Sequence, residues 1–594
     1  MAALKIENLI TDHLDLWTAA VRPKSSAGRG SNSKLELTGI KKLRELILEL
    51  AVRGKLVPQD PSDEPASVLL ERITAEKTRL VKEGKIKKSK VLPKISEEEQ
   101  PFDLPEGWEW GCLGDIVAII RGITFPASEK HCEPSEDRIA CLRTANVQDK
   151  IEWDDLLYVK TSFVKRLEQR VEVGDIVMSM ANSKELVGKV AYIEKIPSGS
   201  ATFGGFLSVI RPYEIDASFL MTVLRAPQTR SVLIDRSSQT TNIANISLEK
   251  LNPLVIAIPP LPEQHRIVAK VGELMALCDQ LELRSESQLA AHQMLVETLL
   301  ATLTDSANAD ELAQNWARLS THFDTLFTTE ASIDALKQTI LQLAVMGKLV
   351  PQDPSDEPAS VLLERIVEHQ AIRVKNKEIQ KPKKILVDDA FDLELPQGWH
   401  SILLNDLVFV TKLAGFEYTK HFKLEDEGEV AVIRAQNVRP FLPDLDNLKF
   451  IDEETSLLLP RSALDRPALL VTFIGAGIGD VCVFDRNERW HLAPNVAKVE
   501  PYADLNLDYL CIYLNSQIGR KELFKSIKST AQPSLSMTTI REIWVGLPPL
   551  AEQHRIASKV AELMALCDHL QSRLQTSQQT QLALAESLVE GALA

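Results

Sequence analysis

The chain has 594 residues, of which 44% are hydrophobic and 25% are charged. This length exceeds what one hydrophobic core supports, so we expect about two to four domains. The absence of any run of about 18 apolar residues argues against a membrane span, and the formal net charge of −15 argues, taken alone, against a nucleic-acid partner. A local basic groove can still exist on an acidic protein, because net charge sums over the whole surface.

The seven cysteines include no CxxC pair, which predicts reduced thiols and a cytoplasmic location. The N-terminal segment has acidic residues in its first turns and no continuous apolar stretch, so it is not expected to be a secretion signal. No grouping of Cys and His has the spacing of a zinc site, so no metal is expected.

The first predicted helix ends at Gly54, because glycine favours the left-handed position that follows a helix. The segment PQDP then predicts a turn, and SDEP predicts the start of another helix with an acidic cap and an early proline. The same arrangement returns before and after Gly347. The apolar seams of the two predicted helices are Ile40, Leu43, Ile47 and Leu50, and Ile333, Leu336, Ile340 and Leu343.

Two blocks of sequence are repeated along the chain. The stretch GKLVPQDPSDEPASVLLERI begins at Gly54 and again at Gly347, and PPLPEQHRIVAKVGELMALCD from Pro259 returns as PPLAEQHRIASKVAELMALCD from Pro548. The segments between the blocks are much less alike, and the period is far longer than the roughly 20–50 residues of a solenoid unit. We therefore expect two near-identical frames around two divergent inserts. A recent duplication would have left the inserts as alike as the frames, so a frame with one symmetric role and inserts with two targets fits better.

The second repeated block predicts a long helix in each copy. Its apolar residues recur with steps of four and three, which is typical of a coiled coil. Each helix is expected to run for about 40 residues, or roughly 60 Å. The predicted seam of the spacer helices consists of Ile267, Val271, Leu274, Cys278 and Leu281 in the first copy and Ile556, Val560, Leu563, Cys567, Leu570 and Leu574 in the second.

One frame is continuous in the chain, whereas the other is divided between the two chain ends. The continuous frame and the two end pieces taken together have similar lengths, so we expect the N- and C-terminal pieces to combine into the second frame. This predicts a circular, pseudo-two-fold arrangement with antiparallel long helices. The alternative is that these helices pair with those of a second copy of the chain.

Short β-rich runs separated by Gly and Pro predict a mixed α+β domain with a twisted sheet in each insert. The fold class is therefore α+β, with two mixed domains separated by two long antiparallel coiled-coil helices. The predicted divisions are an N-terminal extension (1–35), an N-terminal half-frame (36–103), a first insert (104–258), a central frame with its long helix (259–394), a second insert (395–547) and a C-terminal helix (548–594).

Catalytic signatures are not found in the sequence. There is no phosphate-binding P-loop, Rossmann glycine fingerprint, HExxH or GxSxG motif, and no NPPY or DPPY tetrapeptide of adenine methyltransferases. His265 and His554 lie in the repeated EQHRI, where a role in capping or packing a helix start is favoured over that of a base. The sequence therefore predicts a protein without catalytic residues.

The paired PPLPEQHRI and PPLAEQHRI blocks, the paired LAVRGKLVPQDP and LAVMGKLVPQDP blocks, and the LPEGW and LPQGW motifs that lead into the inserts resemble the specificity subunit of type I restriction–modification systems. The resemblance covers the chain beyond about residue 35. It implies that each insert is a target-recognition domain that reads one half of a split site in double-stranded DNA, and that the helices set the spacer.

The resemblance also implies partners and cofactors. The frames would dock two methyltransferase subunits, and restriction subunits would complete the complex. S-adenosylmethionine, ATP and magnesium would be bound by those partners, with no cofactor on this chain. Two alternatives are a coiled-coil scaffold without a DNA role and a DNA-modifying enzyme in its own right.

Polar loops of the inserts supply the candidate DNA contacts, because Arg and Lys favour guanine or phosphate and Asn and Gln favour adenine. The basic runs KEGKIKKSKVLPK and RVKNKEIQKPKK lead into the inserts as solvated linkers or as phosphate contacts. The candidates are Arg121, Thr124, Lys130, Arg143, Asn146, Asn182, Ser183, Lys184, Gln239, Thr240, Thr241 and Asn242 in the first insert, and Lys412, Phe416, Tyr418, Lys420, Arg434, Gln436, Asn437, Lys528, Ser529, Thr530 and Gln532 in the second.

Overall fold

The fold is that of a computed structural model. It describes residues 6–23, 35–84, 86, 92–184, 186–240, 243–307, 309–385, 391, 394–475, 477–525 and 534–593. The chain forms two compact units: the first unit comprises Met1–Ser287 with Ser577–Ala594, and the second unit comprises Gln288–Thr576. The C-terminal end of the chain thus belongs to the same unit as the N-terminal segment, which confirms the circular arrangement expected from the sequence.

The helices of the first unit are α1 (Ile6–Thr11), α2 (Leu14–Ala19), α3 (Thr38–Val52), α4 (Ala66–Lys82), α5 (Leu113–Ile116), α6 (Ala217–Arg225), α7 (Pro227–Asp235), α8 (Leu248–Leu251) and the start of the long helix α9 (Leu261–Thr304). Its strands are β1 (Arg22–Pro23), β2 (Leu35–Glu36), β3 (Glu109–Cys112), β4 (Val117–Arg121), β5 (Arg138–Leu142), β6 (Leu157–Lys160), β7 (Ile176–Ser179), β8 (Ala181–Asn182), β9 (Val190–Tyr192), β10 (Ala201–Phe203), β11 (Leu207–Pro212), β12 (Ser238–Thr240), β13 (Ile243–Asn245) and β14 (Val255–Ile258).

The helices of the second unit that follow α9 are α10 (Ala309–Ser320), α11 (Phe323–Leu326), α12 (Glu330–Val345), α13 (Ala359–Lys375), α14 (Leu404–Leu407), α15 (Gly415–His421), α16 (Glu453–Leu458), α17 (Leu507–Asn515), α18 (Gln517–Phe524), α19 (Met537–Arg541) and the start of the long helix α20 (Leu550–Leu593). Its strands are β15 (His400–Leu403), β16 (Val408–Lys412), β17 (Val430–Ile433), β18 (Lys449–Ile451), β19 (Ala463–Leu464), β20 (Ala468–Thr472), β21 (Val481–Phe484), β22 (Trp490–Leu492), β23 (Val496–Pro501) and β24 (Trp544–Leu547).

Each insert contains a four-stranded antiparallel sheet, in the order β4-β11-β7-β9 in the first unit and β16-β23-β20-β21 in the second. A second sheet lies beside it, ordered β10-β5-β6 in the first unit and β18-β17-β22-β19 in the second, and each of these includes one parallel pair. The α+β fold class and the internal repeat predicted from the sequence are therefore confirmed.

The first and last strands of each insert pair with one another. β3 pairs antiparallel with β14, and β15 pairs antiparallel with β24. Close to this pairing, the indole of Trp108 donates a hydrogen bond of 3.0 Å to the buried carboxylate of Glu263 at the start of α9, and Trp399 donates a hydrogen bond of the same length to Glu552 at the start of α20. Each insert is therefore anchored where its long helix begins.

The frame helices α3 and α12 end as the sequence predicts. Gly54 has φ of +67° and Gly347 has φ of +68°, the left-handed conformation that favours glycine. The amide of Lys55 donates to the carbonyl of Leu50, which closes the last turn of α3. A side chain at Gly54 would also lie 2.4 Å from the ring of Pro105, so the frame and the insert motif require glycine here.

The predicted seam positions of α9 and α20 are buried, apart from Leu574, which is half-buried. Beside the seam, Arg44 of α3 lies 2.6 Å from the carboxylate of Asp279, and Lys337 of α12 lies 2.8 Å from that of Asp568. In the second unit, the seam of α20 shares one core with α12 and with the end of α9. The first half of each long helix therefore packs on the short frame helix of its own unit.

Residues 1–35, predicted as an N-terminal extension, include the helices α1 and α2. Trp17 is fully buried, and its indole donates to the carbonyl of Leu9 at 3.2 Å. The backbone of Trp17 lies so close to Gly39 of α3 that a side chain there would meet it at 2.3 Å. These helices are therefore packed onto the frame. Among the described residues, no helix has a stretch apolar enough, over sufficient length, to cross a membrane.

Candidate nucleic-acid interface

In the first insert, three strands of the four-stranded sheet meet at one end. β4 ends at Arg121, which lies opposite Ser208 of β11, and β7 ends at Ser179, which lies opposite Leu207. Arg121 is exposed, and so is Thr124, three residues later in the chain. We call this end of the sheet the first loop edge, defined by Arg121, Thr124, residues 182–184 and residues 204–206.

The hairpin of β12 and β13 lies next to the first loop edge. β13 pairs with β8, so that Ala244 lies opposite Asn182. The side chain of Asn182 accepts a hydrogen bond from the amide of Ser183 at 2.9 Å, and Lys184 is exposed. The backbones of Gln239 and Thr240 lie on β12, while Thr241 and Asn242 lie outside the described residues. The structure thus brings three of the predicted contact segments to one end of the sheet.

Phe206 was not among the residues predicted from the sequence. Its side chain is 70% exposed, and it lies between Gly205 and the start of β11, where its carbonyl accepts a hydrogen bond of 2.9 Å from the amide of Met180. An exposed aromatic side chain offers an apolar face to a base or to a thymine methyl group. The pair of glycines directly before Phe206 was the signal in the sequence that pointed to an unusual turn.

Asn146 and Asn437 have structural contacts in both inserts. Asn146 is buried, accepts a hydrogen bond from the amide of Arg143 and donates to the carbonyls of Glu152 and Asp155. Asn437 is fully buried and makes the matching contacts, with the amide of Arg434 and the carbonyls of Asp444 and Asp446. Because their polar atoms are used inside the loop, these contacts favour a structural role over contact with a base.

The neighbouring predicted residues fall into two groups. Arg143 is half-buried and lies 2.6 Å from the carboxylate of Asp155, and Arg434 donates to the carbonyl of Asn447, so both brace the loops that the asparagines hold. Lys130 and Gln436 are exposed. Only the second group is open to a ligand without rearrangement.

In the second insert, β16 ends at Lys412, which lies opposite Ala497 of β23. The ammonium of Lys412 is 4.7 Å from the centre of the Phe473 ring, which holds it beside the end of β20. Ser534 forms a bridge with Ile474, close to this end of the sheet. Lys528, Ser529, Thr530 and Gln532 themselves lie outside the described residues. We call this end the second loop edge, defined by Lys412, residues 472–475 and Asn495.

Phe416, Tyr418 and Lys420 were expected to lie in a polar loop, and this prediction was wrong. Residues from Gly415 form helix α15, because the carboxylate of Glu417 accepts a hydrogen bond of 3.0 Å from the amide of Ala414 and so caps the first turn. The helix exposes 74% of Phe416 and the side chain of Lys420, and Tyr418 is half-buried against Phe422. A rigid helix therefore carries these three candidates.

The two repeated histidines lie at the helix starts, as expected. His265 in the first turn of α9 is 3.6 Å from Asp216, the residue that caps α6, and His554 in α20 is 2.9 Å from Asn506, which caps α17. Within the part of the chain that the structure describes, no group of three His, Cys, Asp or Glu side chains is placed to hold a metal ion. All seven cysteines are free thiols, and Cys132 is the exposed one.

Comparison with known proteins agrees with this architecture. The family model described as the type I restriction modification DNA specificity domain matches residues 105–291 and again 396–577. The chain is 40% identical over 619 aligned residues to the type I restriction enzyme EcoEI specificity subunit of Escherichia coli, and the alignment covers 99% of this chain and 100% of that protein. It is 41% identical over 615 aligned residues to the EcoAI specificity subunit of Escherichia coli, with the same coverage of 99% and 100%.

Among solved structures, a chain from a study of complex assembly and conformational transition of the type I R-M system aligns with a TM-score of 0.47 and 15% identity, over 83% of this chain and 99% of that one. The two matched regions of the family model contain the two inserts with their sheets. The family model covers more than half of the chain, and the two relatives are similar over nearly all of it. The chain therefore belongs to the family of type I restriction modification DNA specificity proteins and carries two copies of its domain.

Proposed function

We propose that this chain is the DNA sequence-specificity subunit of a type I restriction–modification complex and is not itself an enzyme. Each insert reads one half of a bipartite target in double-stranded DNA. The observation that carries the proposal is that the two inserts have the same strand order in their sheets but different side chains at their loop edges. Where the first loop edge has Arg121 and Phe206, the second has Lys412 and Asn495 at the same places in the register. Equal scaffolds with unlike side chains suit two readers of different sequences.

The frames dock two methyltransferase subunits. Partly buried contacts recur in both: Arg266 lies 2.6 Å from Asp63, and Arg555 lies 2.5 Å from Asp356. The exposed side chains of the repeated segment, such as Ser67 and Glu71 in the first copy, are also identical, although packing places few demands on them. One partner bound twice accounts for two identical exposed surfaces.

The two 44-residue helices set the distance between the half-sites. At about 1.5 Å per residue, each is roughly 66 Å long, which is about two turns of B-form DNA. A helix of this length, packed against a frame helix at its start, gives a defined length that a flexible linker would not give.

S-adenosylmethionine, ATP and magnesium are bound by the methyltransferase and restriction subunits, and the complex acts in the cytoplasm. Free thiols at all seven cysteines are in keeping with a reducing compartment. Calorimetric titration of S-adenosylmethionine into the purified chain should give no heat of binding, whereas the complex with methyltransferase subunits should give one. Binding to the chain alone would overturn this assignment.

Methylation mapping tests the proposed function. In a host with this gene, methylated adenines should lie in a split motif with an unread spacer, and that motif should vanish when the gene is deleted. If no methylated motif disappears on deletion of the gene, that result would contradict a role in DNA specificity and would favour a scaffold. Methyl transfer or cleavage by the purified chain alone would show an enzyme in its own right.

A further inference from the structure

A cleft with a volume of about 1270 Å³ runs along strand β16 in the second unit. β16 is the edge strand of its four-stranded sheet, so one side of the strand faces this cleft. The opposite wall is formed by the end of α13 and by residues 377–385, which follow it. The cleft begins at Lys412, on the second loop edge, and extends along the strand toward Arg373 on the frame helix α13.

The lining of this cleft is strongly basic. Ten of the lining side chains are Lys or Arg, and three are Asp or Glu. The whole chain has a formal charge of −15, so the cleft has the opposite sign to the molecule around it. A concave site with an excess of positive charge concentrates field lines and attracts anions.

The floor of the cleft contains a buried charge cluster. The carboxylate of Glu500 lies 2.6 Å from the guanidinium of Arg373, 3.0 Å from the ammonium of Lys498 and 3.6 Å from the guanidinium of Arg466. Lys498 is 4% exposed and also donates to the carbonyl of Ala463 at 2.9 Å. The carboxylate of Glu378 lies 3.5 Å from Arg373 and 3.7 Å from Arg466, so three cations share two carboxylates. One positive charge is left over, which an anionic ligand would neutralise.

The ionisation of Glu500 keeps this cluster in place. Burial by itself raises the pKa of Glu500, but Lys498 and Arg373 outweigh that effect, and its pKa lies below the ordinary value. The carboxylate is therefore charged at neutral pH and fixes the positions of Lys498 and Arg373. The cations of the floor are thus held in place before any ligand arrives.

Lysines of the wall add charge that the protein does not balance. Lys381, Lys383 and Lys384 are exposed, and among the described residues none of them has a carboxylate within 4.0 Å. The side chain of Asn405 donates to the carbonyl of Lys383 at 3.4 Å, which ties this segment to the base of the insert. The positive charges of these three lysines repel one another, and a bound polyanion would reduce this repulsion.

The first unit neutralises the corresponding positions. β11 has Val209 and Arg211 where β23 has Lys498 and Glu500. Arg211 lies 2.7 Å from the carboxylate of Asp175 and 2.7 Å from that of Glu172, so its charge is balanced. The unbalanced cluster on this strand is therefore a property of the second unit alone.

We propose that this cleft binds the phosphodiester backbone of nucleic acid and adds a contact on the second unit that is independent of base reading. The inference rests on the proposed function. The cleft opens at Lys412, where the candidate base-reading residues lie, so a strand that leaves the second loop edge passes directly along it. That continuity favours nucleic acid over an acidic segment of a protein partner.

Salt-dependent binding of a mixed-sequence DNA duplex tests the proposal. Full-length chain with Lys381→Ala and Lys383→Ala is compared by fluorescence anisotropy with wild type and with a control, Arg486→Ala and Lys195→Ala, whose exposed side chains lie outside the cleft. Each phosphate contact contributes about 0.9 to the slope of log K against log salt, so the cleft variant should lose about two from this slope. The control variant should keep the wild-type slope.

Three outcomes would overturn the proposal. One is an unchanged slope in the cleft variant. A second is an unchanged slope with weaker assembly with the methyltransferase subunit, which would show a protein-binding cleft. A third is an unchanged slope with thermal stabilisation by inorganic pyrophosphate that the variant loses, which would show a site for small phosphate anions. Failure of the proposed function would be seen separately. The wild type would then produce no split methylation motif, whereas the difference in salt slope between wild type and cleft variant would be unaffected.

Discussion

The ammonium group of Lys55 donates a hydrogen bond of 2.8 Å to the carbonyl oxygen of Leu593, which is 538 residues away in the sequence. In the second unit, Lys348 makes the same contact at 2.6 Å with the carbonyl of Thr304, at the end of α9. Each lysine directly follows the glycine that ends a frame helix. The last carbonyls of a helix lack partners within the helix and carry partial negative charge, so a lysine is well suited to bind them.

Lys55→Ala should therefore loosen the last turn of α20 within the first unit. The expected cost is about 0.3–1 kcal/mol, because one cation at a helix C-terminus is lost. Hydrogen exchange should become faster at the amides of residues 585–593, and Lys348→Ala should do the same at the end of α9. Lys55→Arg, which keeps the charge, is the control. Unchanged exchange in both alanine variants would mean that these contacts do not hold the helix ends.

Glu263→Gln should destabilise the junction between the first insert and α9. The carboxylate accepts hydrogen bonds from Trp108 at 3.0 Å and from Gln59 at 3.1 Å. In glutamine an NH2 group replaces one of these two oxygens, so that one hydrogen-bond donor would face another. A buried donor without a partner costs about 1–3 kcal/mol, measured as a loss in thermal or urea unfolding.

Glu552→Gln should cost a similar amount, because Trp399 and Gln352 make the same contacts in the second unit. The exposed Glu273→Gln is the control. Clearly unequal costs for the two buried positions would show that the two frames are not equivalent in energy.

Glu500→Gln should destabilise the second unit by about 3–5 kcal/mol near neutral pH, because it leaves Lys498 buried without a counter-charge. The pKa of Glu500 lies below its ordinary value of 4.5, so its contribution to the stability of the fold is fully present above that value. It is lost as the pH falls through the lowered pKa. The difference in unfolding free energy between wild type and variant should therefore shrink below pH 4.5.

The exposed Glu488→Gln serves as the control for this titration, since no buried cation depends on it. A wild-type advantage that stayed constant down to the acid transition would show that Glu500 is not ionised in the folded protein.

Arg121→Ala and Lys412→Ala should each weaken the reading of one half-site and leave the other unchanged. These residues occupy the same place at the two loop edges, so each variant is the control for the other. A contact to a base edge contributes about 1–3 kcal/mol of discrimination, which would appear as relaxed sequence preference at a single position of the methylated motif. Equal effects of both variants on both halves would argue against separate readers.

Much of the frame was predictable from the sequence. The duplicated segments predicted the internal repeat, and the apolar steps of three and four residues predicted the long helices. The lengths of the end pieces predicted that the two chain ends would share a unit. The glycine at position 54 predicted the end of α3, because few other residues adopt its backbone conformation. These features depend on local or repeated sequence, so they can be predicted from the amino-acid sequence alone.

The sites depended on contacts that the sequence does not reveal. Asn146 and Asn437 recur in the similar stretches LRTANV and IRAQNV of both inserts, and such recurrence points to a shared structural role, as it does for the two histidines. The helix α15 depends on a side-chain cap by Glu417. The charge cluster of the cleft combines Arg373, Arg466 and Glu500, which lie far apart in the chain and meet only in the fold.

The most direct test of the twinned frame is to replace the second insert, residues 395–547, with a copy of the first insert, residues 104–258, and to map DNA methylation by the assembled complex. Two identical readers on a two-fold frame should recognise an inverted repeat of the first half-site, with a spacer of the wild-type length. A folded, assembled variant that methylates a direct repeat, or a motif with the original second half intact, would contradict the account.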